Sequence, residues 1–416
     1  MERVLPNRNL HSKEYELIDT LKGLAILAVV CVHLLPSVPG CYGFVKNIII
    51  IYGFHGLSIF FVISGYGIAA STSNAAYHHQ PHMFLMRRLK KIFFCYWWSL
   101  LITALLIPLA HAVALTFKTH TFIFFSPYSL VEWIQVITLE KIFSATSWAL
   151  NTAFDPVNAP IWYVAIIVQI YIYVFVCLYF GKYFPFLMFI GFIASLLTYV
   201  PVIKDILPYG VFLPYFAQVY VGFIVYPLLK TGFITKKKLI TYLFFFFLLA
   251  SCCFCAFKHN QFFTLSYALI TGYVLLVMYK HNFKLERFLV VRLFSILGAF
   301  SYSLYLLHFP LRILAGMFAK NLIPFLGDFT QPLVVVALAI IFSFIWYLFF
   351  EKPSSQINVL KCLASPIHTI ASGMNLARRT AFKERGFSKH KWEFAFQRRE
   401  FLKRPLFQGQ PAKKMF

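Results

Sequence analysis

Ten stretches of roughly 20 mainly apolar residues recur along this chain, each about the length an α-helix needs to cross the hydrocarbon core of a bilayer. They lie near residues 18–36, 48–70, 92–114, 160–180, 184–201, 210–229, 239–257, 262–279, 293–319 and 331–351. No water is present at that depth to satisfy backbone groups, so such runs fold as helices packed against one another. The expected fold is therefore all-α, a polytopic integral membrane bundle of about ten transmembrane helices. Composition agrees: 60% of the 416 residues are hydrophobic and only 12% are charged, against about 25% charged in an ordinary soluble domain. Fifty Phe and twenty-four Tyr suit lipid-facing and interfacial positions, where aromatic rings offer apolar bulk at modest entropic cost.

The formal net charge of +24 could suggest a nucleic-acid partner, but the cations cluster beside apolar runs, as in loops held by the positive-inside rule. No nucleic-acid partner is expected. The loops after the second, sixth and eighth stretches carry Arg87, Arg88, Lys90 and Lys91; Lys230, Lys236, Lys237 and Lys238; and Lys280, Lys284, Arg287 and Arg292. An even number of spans separates these loops, so all face one side together with the N-terminus and the C-terminal tail, and that side reads as cytoplasmic. Three zones follow: a cytoplasmic N-terminus over 1–17, a membrane domain over 18–353 and a basic cytoplasmic tail over 354–416. The first stretch reads as a retained helix rather than a cleaved signal, because no small-residue cleavage site follows it and Asp19 and Lys22 sit in its leading edge. The polar segment 115–159 reads equally as a platform for an outside acceptor or as a plain connection. Residues 361–416, with ten Lys and Arg from Arg378 to Arg404 interleaved with aromatics, read either as a membrane-surface segment or as a disordered tail. No repeat of fixed period is visible.

Ionisable residues inside spans are costly and so mark candidate sites. They are Asp19, Lys22, His33, His55, His308 and Arg312. Lys22 and His33 are eleven residues apart, about three full turns, which puts both on one helix face roughly 16 Å apart along the axis. Asp19, three residues before Lys22, can pair with it across one turn. One reading is functional: a cation at the inner mouth holds an anionic group while a deeper imidazole acts as general base on a hydroxyl. The other is structural, with Lys22 snorkelling to the interface and His33 bonded to a neighbouring helix. His308 and His55 carry the same pair of readings. Arg87, Arg88, Lys90 and Lys91 set topology in any case, and Arg can also fork phosphate oxygens of a cytoplasmic cofactor. Cys252, Cys253 and Cys255 lack a matching His pair, so the eight cysteines read as soft packing residues and no metal is expected. The sequence carries no Walker loop, dinucleotide fingerprint, HExxH or GxSxG.

Several segments resemble, in order, those of the acyltransferase 3 family of membrane O-acyltransferases over residues 15–353. Ile18 to Ala25 and on to His33 is similar to the family's opening motif, a basic residue and a His eleven positions later, with Lys22 in place of the commoner Arg. Gly56 through Ser64, Gly65 and Tyr66 resembles the second-span signature. Arg88-Leu89-Lys90-Lys91 is similar to the RxxR motif, and Pro160-Ile161-Trp162-Tyr163 through Gln169 and Tyr171 to the Trp-led fourth span. Ser301-Tyr302, Tyr305, His308 and Pro310 resemble the SYxxYLxHxP segment, and Glu351-Lys352-Pro353 the closing ExP. Ser58 stands where many members have Asp, and Ile167 and Val168 where many have Glu, which leaves the acceptor-positioning groups open.

The resemblance implies an O-acyltransferase in the cytoplasmic (inner) membrane of a bacterium. The donor would be acyl-coenzyme A, acetyl-coenzyme A in the family's usual pattern, arriving as a substrate and not as a permanently bound cofactor. The acceptor would be a hydroxyl of a cell-surface glycan or lipid-linked sugar. Catalytic roles would fall to His33, Lys22 and Asp19, with His33 either a base or a transient acyl carrier. Arg88, Lys91 and Arg87 would take the donor's phosphates, and Ser64, Trp162, Tyr302, Tyr305 and His308 would line the substrate pocket. The short tail implies a transferase without the extracytoplasmic hydrolase-like domain common in the family. A transporter or flippase of a glycan intermediate is the alternative that also uses many spans and buried ionisable groups.

Overall fold

The computed structural model describes residues 8–34, 55–73, 75–116, 162–200, 211–231, 261–281, 289–322 and 330–352, with a few isolated positions between them. Every regular element among these residues is helical. In chain order they are α1 (Arg8–Leu34), α2 (Gly56–Thr72), the short α3 (Ala75–His79) and α4 (Pro81–Thr116). Next come α5 (Trp162–Tyr179), α6 (Phe184–Leu197), α7 (Leu213–Thr231) and α8 (Gln261–His281). The last are α9 (Leu289–Ala299), α10 (Ser301–Leu322) and α11 (Thr330–Trp346), and α11 runs on into a π-helical turn over Tyr347–Glu351.

Three helical segments are by themselves long and apolar enough to cross a membrane: Glu16–Leu34, Trp162–Tyr179 and Leu333–Glu351. A fourth arises if the bent pair α9 and α10 counts as one span, and Gly56–Thr72, Gly181–Leu197 and Thr264–Val277 are shorter apolar helices. Among the described residues the protein is thus all-helical with three or four candidate membrane spans; the sequence suggested about ten for the whole chain. The stretch 239–257, most of the segment 115–159 and the tail from 353 onward lie outside the described residues. Helix outer faces fit a lipid surround. Phe186, Phe189, Ile190, Ile193 and Leu197 of α6, Ile341 and Ile345 of α11 and Leu348 and Phe349 of the π turn are all exposed, a density of bare apolar side chains that water would not tolerate.

One expectation changes in kind. The stretch 293–319 reads in sequence as one span, but the chain breaks at Phe300, and α9 meets α10 at 77°. Pro310, the obvious kink candidate, lies inside the continuous α10 instead. A proline breaks a helix only if its lost hydrogen bond and ring clash are left uncompensated, and membrane helices often compensate both. Phe300 is buried at the corner, with its ring 5.3 Å from Phe344 and 6.2 Å from Tyr347, so the bend is filled by aromatic packing.

Helices in lipid gain little from hydrophobic collapse and depend on close backbone approach through small residues. Two crossings here are built that way, and each is reciprocal. A Cβ placed on Gly298 of α9 would sit 1.7 Å from the Asp19 carbonyl oxygen of α1, and one on Gly23 would sit 1.9 Å from that of Phe294. Between α2 and α7, a Cβ on Gly65 would meet the Val219 carbonyl at 1.8 Å, and one on Gly222 the Val62 carbonyl at 1.8 Å. The obstacles are backbone atoms, which cannot rotate away. Gly222→Ala should therefore destabilise the detergent-solubilised protein by on the order of 1–3 kcal/mol in thermal melts, despite Ala's better helix propensity. Gly67→Ala, whose new carbon would come no closer than 3.8 Å to the Arg88 guanidinium, should melt close to the wild type.

Candidate active site

The α9–α10 break, the mid-part of α2, the start of α5 and the basic end of α4 together enclose a cavity of about 560 Å³. Four cations from three helices line it: Lys22 of α1, Arg88 and Lys91 of α4, and Lys230 of α7. Glu351, at the end of the π turn, contributes a carboxylate. Ser64, Tyr163, Tyr302 and Tyr305 supply hydroxyls, and Ile63, Ile167 and Ile92 supply apolar wall. A concave site with mostly apolar walls and a few convergent polar groups is how small-molecule sites are usually built. Here the excess of positive charge selects for an anion.

Each charged group is held by its own local structure. Lys22 Nζ lies 2.9 Å from Asp19 Oδ1, the one-turn ion pair that the spacing predicts. Arg88 Nη2 donates to the Gly67 carbonyl at 2.8 Å and to Ser71 Oγ at 2.5 Å. Its guanidinium also lies 5.7 Å from the centre of the Phe84 ring and 5.4 Å from that of Tyr171, within cation–π range. Two hydrogen bonds and two aromatic faces leave Arg88 pre-oriented, with further donors on its fork. Arg87 turns the other way: it is exposed, donates to the Tyr77 hydroxyl at 2.6 Å and does not line the cavity. Neighbouring helix positions diverge by 100°, so only one of two adjacent arginines can face the site.

His33 and His308 come together although 275 residues separate them. His308 Nε2 lies 3.4 Å from His33 Nδ1, with ring centroids 5.1 Å apart. His33 Nδ1 is 2.8 Å from the Val29 carbonyl, and His308 Nδ1 is 2.7 Å from that of Tyr305. A carbonyl only accepts, so each ring carries its proton on Nδ1. His33 Nδ1–H is then shared between Val29 O and the lone pair on His308 Nε2, and its own Nε2 keeps a lone pair. His308 is fully buried. Neither imidazole lines the cavity; Tyr305 does, and its ring centroid lies 5.9 Å from that of His308 and 5.4 Å from that of Tyr163. Tyr305 and Tyr163 form the wall between the cationic chamber and the histidine pair.

The remaining sequence candidates divide. Ser64 lines the cavity, 3.4 Å from the Tyr163 hydroxyl, and Tyr302 lines it while donating to the Ile92 carbonyl at 2.9 Å. Trp162 does not line it and packs on Tyr215 at 5.5 Å; the adjacent Tyr163 faces the cavity instead. His55 stacks on Tyr267 of α8 at 4.5 Å, away from the lining. The Arg312 side chain lies outside the described residues. Ile167 is part of the cavity wall and Ser58 is buried outside the lining. Among the lining residues to which the sequence reading gave no site role are Tyr163, Lys230 and Glu351. For Glu351 the signal was available, since a lone carboxylate at the end of an apolar run is costly unless it is engaged.

The charge balance of the cavity is open to chemical test. An anionic methanethiosulfonate should modify a Ser64→Cys variant at least about ten-fold faster than a cationic one at low salt, since a charged cleft concentrates counter-ions. The difference should shrink as ionic strength rises. A Trp162→Cys variant should show no such charge preference.

No curated protein and no solved structure matches this chain. A family model described as an acyltransferase domain matches residues 15–351, which takes in every cavity-lining residue and both histidines. With most of its length covered by that match, this integral membrane protein belongs to the acyltransferase 3 family.

Proposed function

We propose that this acyltransferase moves an acyl group, acetyl in the first instance, from acyl-coenzyme A to a hydroxyl of a surface or lipid-linked glycan. The observation that carries the reading is the pairing of a four-cation chamber with a histidine pair behind Tyr305, His308 fully buried and His33 partly so. Coenzyme A bears phosphates for Arg88, Lys91, Lys22 and Lys230, and a long flexible arm that can extend past Tyr163 and Tyr305 toward His33. The apolar wall formed by Ile63, Ile92 and Ile167 suits that arm. The placement of the basic loops supports entry from the cytoplasm with both termini on that side, and the family resemblance supports a bacterial inner membrane.

In this mechanism His33 is the general base. Its Nε2 takes the proton of the acceptor hydroxyl as the oxygen attacks the thioester carbonyl carbon. The tetrahedral intermediate collapses with cleavage of the carbon–sulfur bond. The thiol leaves with the proton returned by His33, so the imidazole ends neutral. While His33 is charged, its Nδ1–H strengthens its bond to His308 Nε2, which stabilises the imidazolium as a third group does in other base-assisted transfers. The Asp19 carboxylate holds Lys22 at the chamber wall.

The direct test is mass spectrometry of surface glycans in cells carrying the wild type, His33→Ala, Lys22→Ala or Arg87→Ala at matched membrane levels. The wild type should add an acyl mass, and His33→Ala should lower the transfer rate by about 10²–10⁴-fold, the usual contribution of general base catalysis. Lys22→Ala should raise the acyl-coenzyme A requirement, and Arg87→Ala should stay near wild type. Acyl-coenzyme A at 100 times its Kd should also stabilise the purified protein by about 2.7 kcal/mol. Full activity in His33→Ala would overturn the assignment of the base. Absence of any acyl mass with the wild type, and of stabilisation by acyl-coenzyme A, would favour transport of a glycan intermediate.

A further inference from the structure

The break at Phe300 creates a problem that the fold must solve. Starting a helix afresh at Ser301 leaves its first backbone N–H groups without intrahelical partners, at a depth where water is scarce. The solution comes from a distant part of the chain. Glu351 Oε2 accepts the Ser303 backbone N–H at 3.2 Å and the Ser303 hydroxyl. Ser303 is fully buried and Glu351 is 6% exposed, so the contact is sheltered from competing water. A carboxylate at a helix N-terminus is also favoured by the helix dipole.

The π turn is what delivers Glu351 there. The buried face of α11 runs Val335, Ala339, Ser343, Trp346, the three- and four-residue steps of an α-helix. Glu351 is five residues beyond Trp346, and in an α-helix that step would rotate it by roughly 140° away from this face. In the π turn over Tyr347–Glu351, bonds close five residues apart and bring position 351 back over position 346. Trp346 and Glu351 are accordingly both buried, while Leu348 and Phe349 between them are exposed.

We infer that Glu351 is a positioning residue for catalysis: by clamping Ser303 it fixes the first turn of α10 and thereby sets Tyr305 at the cavity wall and His308 against His33. The leverage is short. Tyr305 lies two residues after Ser303 and His308 five, all in one helix, so a shift of the first turn moves both. His308 must stay within reach of His33 Nδ1, now 3.4 Å away, and effects that depend on placement are lost over about 1 Å. Lys22 and Lys91 act electrostatically on the same carboxylate, which gives a competing role to be separated: Glu351 could serve the chamber only as a counter-charge.

This inference rests on the transferase reading, and two sets of measurements keep the two apart. In the activity set, Glu351→Ala should lower kcat per folded molecule at least ten-fold with the KM for acyl-coenzyme A within about two-fold. Glu351→Gln, whose amide oxygen can still accept both Ser303 bonds, should keep kcat within three-fold. The Ser303→Ala/Glu351→Ala double variant should be no worse than Glu351→Ala alone, because the two residues act as a unit. In the second set, which needs no activity, a neutral thiosulfonate is reacted with a Ser301→Cys variant. Glu351→Ala should change its labelling rate several-fold and Glu351→Gln should not. Equal loss in Glu351→Gln and Glu351→Ala would show that the charge matters and not the clamp. A raised KM with kcat kept would make Glu351 a donor contact, and lowered folded yield with unchanged kcat would make it structural; each of these overturns the inference. Should the wild type show no transfer at all, the functional reading fails, and the labelling rates alone decide whether the clamp exists.

Discussion

A backbone N–H without a partner costs several kcal/mol in hydrocarbon, and that single constraint shapes the site of this protein. Interrupting a span at Phe300 is expensive unless another group satisfies the new helix end, and Ser303 finds one in Glu351. The gain is space. Turning through 77° pulls α9 away from the line of α10, and the residues at the bend, Gly298, Ala299, Ser301 and Tyr302, become wall of a cavity. Irregular backbone at membrane depth is tolerated where it is buried in protein or lines such a chamber.

The glycine crossings supply the rigidity that the cavity needs. Gly298 against Asp19 and Gly23 against Phe294 tie α9 to the same turn of α1 that carries the Asp19–Lys22 pair. The end of α1 that carries Lys22 and the broken span are therefore one packed unit. On the other side, Gly65 and Gly222 join α2 to α7, and Ser64 and Lys230 of those helices both reach the chamber. Charge is distributed with equal economy: Arg88 spends two bonds on α2, which both orients it and offsets the cost of holding a cation away from bulk water.

Histidines 33 and 308 show how two weakly informative positions become a site when joined. Either imidazole alone is a common structural feature of a membrane helix. Within hydrogen-bonding reach of each other, with both tautomers set by carbonyls one turn back, they form one imidazole pair beside Tyr305, the pair to which the proposed mechanism gives the proton transfer. The ordering of the tautomers puts the proton of each ring on Nδ1.

Much of this was legible in the sequence for definite reasons. Membrane residence follows from length and hydropathy alone, since hydrocarbon demands unbroken apolar runs. The shared face of Lys22 and His33 and the pairing of Asp19 with Lys22 follow from helical periodicity, which is a local property. The ordered motifs from Lys22 to Glu351 carried the family. What periodicity cannot decide is anything that depends on a partner helix. Whether Arg87 or Arg88 faces the chamber, and whether Trp162 or Tyr163 does, is set by a rotation that only packing determines. The break falls at Phe300 rather than at Pro310, and its helix end is received by Glu351, 48 residues beyond Ser303. The contact between His33 and His308 spans 275 positions. Sequence fixes what is local along one helix, and tertiary structure alone decided these, because they are properties of faces meeting across space.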